Sequence, residues 1–63
     1  LFEYEGKYGT EAYVSAVSNG YFRFVELEDM YFSEEQVVRI EEAMKAKYKE
    51  VFRDGSIRIY ERL

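Results

Sequence analysis

Carboxylates carry most of the reactive chemistry available to this chain. They come in pairs and short runs: Glu26, Glu28 and Asp29, then Glu34-Glu35, then Glu41-Glu42. Paired carboxylates do acid–base work on glycosidic bonds, or hold divalent cations, when they converge in a cleft. A chain of 63 residues has little volume to build one. Solvated surface charge is the plainer account. Histidine and cysteine are absent, which removes the commonest general base, the thiolate nucleophile and the usual zinc ligands. No EF-hand spacing, P-loop or dinucleotide fingerprint occurs. The expectation is therefore a non-enzymatic chain with no metal and no cofactor.

A second pattern interleaves aromatic and basic residues. Tyr21-Phe22-Arg23-Phe24 and Arg58-Ile59-Tyr60-Glu61-Arg62 could form a stacking platform for single-stranded nucleic acid on a sheet. Tyr and Arg are also enriched where proteins meet proteins. A net charge of −4 favours the protein partner and argues against broad binding to nucleic acid or an anionic membrane. Thirteen acidic residues on a small domain could also mimic phosphates and occupy a basic groove as an inhibitor, with Glu11, Glu26, Glu28 and Asp29 as an acidic rim. Ordinary solubility explains the same charge.

The elements that must position these residues start with Phe32–Gly55, which reads as one amphipathic helix. Ser33 can cap its first turn, Gln36 can bond back as in a capping box, and Phe32 and Val37 stand at staple spacing. Val37, Ile40, Met44, Tyr48 and Val51 recur on one face. Asp54-Gly55 supplies a stop. Before the helix, Leu1–Glu5 alternates as a strand and Gly6–Gly9 turns. Glu11–Ser18, with its small and β-branched residues, reads as a second strand. Asn19-Gly20 is a strong hairpin signal, and Tyr21–Glu28 reads as the third strand. Ser56–Arg62 is the last strand, with Ile57 and Ile59 on one side and Arg58, Tyr60 and Arg62 on the other.

These elements predict a single α+β domain over residues 1–63. Its sheet is mainly antiparallel, with three or four strands in β-β-β-α-β order and one helix on one face. A β-grasp-like mixed sheet follows instead if the last strand runs parallel to a neighbour. In the expected hairpin Val17 opposes Phe22 and Ser15 opposes Phe24 on one face, while Val14 opposes Val25 and Ala12 opposes Leu27 on the other. Burial of the Phe residues is expected over burial of the Ala and Val cluster, so the helix is expected over Phe22, Phe24 and Val17. The aliphatic face is then left for a partner: Val14, Val25 and Leu27, flanked by Tyr21, Arg23 and Tyr60. That makes the domain a protein-binding or inhibitory module, or a homodimer. A nucleic-acid-binding sheet is the first alternative, and a designed or purely structural domain the second. No run reaches transmembrane length and no signal peptide is visible, so the expected compartment is the cytoplasm, with no membrane partner. The start at Leu1 rather than Met fits an excised, trimmed or designed chain.

Overall fold

The computed structural model describes residues 2–63. Among them the elements run β1 (Glu3–Tyr4), β2 (Lys7–Tyr8), α1 (Gly9–Ser18), β3 (Phe24–Glu28), a 3-10 turn (Asp29–Tyr31), α2 (Glu34–Met44), β4 (Tyr48–Asp54) and β5 (Ile57–Arg62). The class is α+β, as expected, but the element order differs: there are two helices, a two-stranded sheet, and a three-stranded sheet ordered β3-β5-β4. Every pairing is antiparallel, so the mixed β-grasp arrangement is not formed.

The first departure is α1, which occupies the stretch read as the second strand. Ala12 and Ala16 stand four apart, as do Tyr13 and Val17. Alanine is the best helix former, and i,i+4 apolar pairs make one face. Ala12, Ala16 and Val17 are fully buried on that face. Asn19-Gly20 then ends a helix rather than turning a hairpin. The Gly20 amide donates to the Val17 carbonyl at 3.0 Å, and the Tyr21 amide to the Ala16 carbonyl at 3.0 Å. This is the Schellman pattern, and Gly20 takes the left-handed conformation it requires, with φ +69. The Val17–Phe22 and Val14–Val25 pairings therefore do not exist.

Gly20 is also a packing site. A Cβ placed there would lie 3.3 Å from Lys47 Cβ, and the Gly20 carbonyl accepts from Arg62 Nη1 at 3.1 Å. Gly20→Ala is expected to destabilise by about 1–2 kcal/mol. Gly55→Ala provides the control, since Gly55 shares the positive φ but has nothing within 4 Å of its added Cβ. Urea denaturation should show the larger loss at Gly20. Equal losses would mean that only the backbone conformation matters.

The second departure lies at the end of α2. Its start is as expected: Ser33 Oγ accepts from the Gln36 amide at 3.2 Å, and Gln36 Oε1 accepts from the Ser33 amide at 2.9 Å. The helix stops at Met44, however, and Tyr48–Asp54 is a strand. Tyr48 is buried, but from a strand, and Val51 is exposed. Asp54 opposes Ile57, so Gly55-Ser56 is a two-residue hairpin turn, with positive φ at its first position as a type II′ turn needs. Two runs rich in aromatic and β-branched residues flank it, and their cross-strand ladder outweighs three more turns of helix. Ser33→Ala is expected to cost about 1 kcal/mol in thermal or urea melts. Glu42→Ala, which removes only an exposed bond to Lys45, should cost a few tenths, roughly 0.2–0.5 kcal/mol.

Both helices serve one side of the three-stranded sheet. Val17 of α1 and Ile40 and Met44 of α2 join Val25 and Leu27 of β3, Tyr48 of β4 and Tyr60 of β5 in one buried cluster. A ring of aromatics extends it toward the N-terminus. Phe2 stands 5.6 Å from Phe22, Tyr13 5.8 Å from Phe22, and Tyr13 6.3 Å from Phe32. Tyr48 pins the connection after α1, because its hydroxyl donates to the Phe22 carbonyl at 2.6 Å and accepts from the Phe22 amide at 3.0 Å.

Candidate functional site

The structure separates the six residues expected to form a partner surface. Val25, Leu27 and Tyr60 lie under the helices, at 3%, 0% and 7% exposure. Val14 is on α1 and packs half-buried against the core. Tyr21 and Arg23 are exposed in the connection between α1 and β3, where the Tyr21 ring lies 5.1 Å from Tyr4 and Arg23 sits over Phe24 at 5.7 Å. On β3 the expected assignment of faces is thus reversed: the helices cover Val25 and Leu27, and Phe24 is left outside, while Val17 is buried and Phe22 packs against the core.

Strand alternation and register define what the outer face carries. Phe24 opposes Glu61, which opposes Lys49. Glu26 opposes Ile59, which opposes Phe52. Glu28 opposes Ile57, which opposes Asp54. An apolar diagonal therefore crosses the sheet from Phe24 through Ile59 to Phe52, with Ile57 beside its middle. Phe24 is 53% exposed, Phe52 is 49%, and the two isoleucines are partly exposed. Glu26, Glu28, Asp54 and Glu61 surround it, with Lys49 and Arg23 as the basic members.

Sequence reasoning missed Phe24, Phe52, Ile57 and Ile59 as a group, although a signal was present. Ile57 and Ile59 alternate with Arg58, Tyr60 and Arg62, and the pairing of that alternation with β4 follows from the Gly55-Ser56 turn. The surprise lies in which side is buried: the Arg58 and Tyr60 side faces the helices, and the isoleucines face out.

The remaining carboxylates are engaged by basic side chains where bonds are seen. Glu41 and Asp29 both accept from Arg58. Glu11 pairs with Arg39 at 2.6 Å, and Glu42 with Lys45 at 3.0 Å. On β4 the Arg53 guanidinium donates to Glu50 and holds its carboxyl below the usual range; the same bond raises Arg53. Among the described residues no group of three or more Asp or Glu is placed to hold a metal ion. Burial, ahead of nearby charges, raises the Tyr13 and Tyr60 hydroxyls. Folding thus favours their protonated forms, and that stabilisation is lost as pH rises through the range where they ionise. Among the described residues no helix is long and apolar enough to cross a membrane. Comparison of the chain with protein-family models, with curated proteins and with solved structures finds no match.

Proposed function

We propose that this domain is a non-enzymatic protein-binding or inhibitory module that works through the sheet face left bare by the helices. One observation carries the reading: Phe24, Ile57, Ile59 and Phe52 form a partly exposed apolar diagonal on the side of the sheet opposite the core. Contiguous apolar surface rimmed by polar residues is characteristic of docking sites. Phe24 had been expected under the helix, and it stands on this outer side instead.

The rim specifies the partner's chemistry. Four carboxylates against Lys49 and Arg23 favour a protein surface with an apolar centre and basic margins. The same rim disfavours a nucleic-acid backbone, although Arg23 over Phe24 resembles one unit of a stacking platform.

The test uses wild type and Ile59→Glu as baits, followed by binding of each recovered protein in purified form. A partner that binds wild type and loses at least tenfold in affinity to Ile59→Glu supports the reading, since a buried centre residue is worth upwards of about 1.4 kcal/mol. Equal binding by both baits overturns it. Oligonucleotide binding that weakens steeply with salt and is lost in Arg23→Ala would replace it with the nucleic-acid alternative.

A further inference from the structure

β4 lies at the edge of its sheet. It pairs with β5 on one side, and among the described residues its other side presents unpaired backbone groups. Every residue of it except Tyr48 is exposed. The opposite edge, β3, carries Glu26 and Glu28, charges of one sign that oppose strand addition. β4 instead places Val51 and Phe52 at its middle, 47% and 49% exposed.

The charges of β4 reverse in sign about that middle: Lys49-Glu50 before it, Arg53-Asp54 after it. An unbroken strand could not use this order against a copy of itself. Lys49 and Asp54 are an odd number of residues apart and would point to opposite faces. The register shift between Glu50 and Phe52 removes the obstacle. Against β5, Glu50 opposes Tyr60 and Phe52 opposes Ile59, with Val51 as the extra residue. Lys49, Phe52 and Asp54 therefore share the bare face, while Glu50 and Arg53 share the other.

We propose that the chain associates as a two-fold dimer through the free edge of β4, joining two three-stranded sheets into one continuous sheet. A two-fold axis through Phe52, normal to the sheet, sets Lys49 against Asp54 of the second copy and Glu50 against Arg53 of the second copy. Phe52 meets its own copy on the bare face. Each pair occurs twice, as an isologous contact requires. The intrachain Glu50–Arg53 bond, 2.6 Å long, lies on the same side as its copy and becomes part of a four-charge cluster. This inference is argued from the β4 edge; it shares Phe52, Lys49 and Asp54 with the bare face, but its test reads the mass of this chain with no other protein present.

Sedimentation equilibrium over a concentration series tests it. Wild type is expected to pass from 7.6 kDa toward twice that mass. Lys49→Asp and Asp54→Lys each set like charges against each other at both ends of the contact. Each alone should stay monomeric where wild type is dimeric. An equimolar mixture of the two variants restores opposite charges at both ends and should recover the doubled mass. Neither Lys49 nor Asp54 forms an ion pair within the chain among the described residues, so rescue by mixing has no intramolecular explanation. A wild type that stays monomeric throughout overturns the proposal, as does a mixture that stays monomeric. Should either charge variant fail to fold by circular dichroism, Phe52→Glu places two carboxylates at the axis. A monomer is then expected, and a persistent dimer overturns the contact.

Discussion

Val25→Glu is expected to unfold the domain, and Phe24→Glu to leave it folded. The two residues are neighbours on β3, and the pleat sends them to opposite sides. Val25 is 3% exposed in a cluster with Leu27, Ile40 and Tyr60, and Arg58, the charged residue buried on the same side, is already engaged by Glu41 and Asp29. An unpaired carboxylate there costs several kcal/mol or forces its own protonation. A chain of this length holds only roughly 3–9 kcal/mol in total, at about 0.05–0.15 kcal/mol per residue. Phe24 is 53% exposed on the bare face, and its replacement should cost about 1 kcal/mol or less. Circular dichroism melts of the two variants decide between the faces. A folded Val25→Glu beside an unfolded Phe24→Glu would place the helices on the other side of the sheet.

The second large effect concerns Arg58, a charged residue in the central strand at 6% exposure. Its Nη1 donates to Glu41 at 2.7 Å and its Nη2 to Asp29, while its buried Nε has no partner among the described residues. Both carboxylates are partly exposed and keep contact with water. Removing them together, as Asp29→Ala with Glu41→Ala, leaves a guanidinium buried and uncompensated. The expected loss is about 3 kcal/mol or more, enough to bring the domain near its unfolding midpoint. Arg58→Met fills a similar volume with apolar atoms, removes the orphaned Nε, and leaves two carboxylates free to hydrate. It should fall within about 1 kcal/mol of wild type. Urea denaturation of the two variants separates the cases. Equal losses would show that the ion pairs themselves carry net stability.

Much of the local structure was legible in the residues. Ser33 and Gln36 specify where α2 begins, because a capping box is built from near neighbours and needs no distant contact. The alternation of Ile57 to Arg62 specifies a strand and its two sides. The α+β class followed from those two features and the run ending at Glu28. What the sequence left open was every choice between local signals of similar strength. Asn19-Gly20 suits a type I′ hairpin and a helix C-cap equally, since both need a left-handed residue. The chain settled on the helix because Ala12, Ala16 and Val17 together make a buried face that a strand, with its period of two, would split. The periodic stripe through Tyr48 and Val51 likewise suited a longer helix until β5 offered a cross-strand ladder to Tyr48 and to the residues on either side of Val51. The bare face depended on both outcomes. With the second strand turned into a helix and the end of the long helix turned into a strand, the sheet gained a different set of neighbours. Burial then passed to Val25, Leu27, Arg58 and Tyr60, and Phe24, Phe52, Ile57 and Ile59 were left outside, because which side of a sheet is covered is decided by distant elements rather than by the strand's own residues.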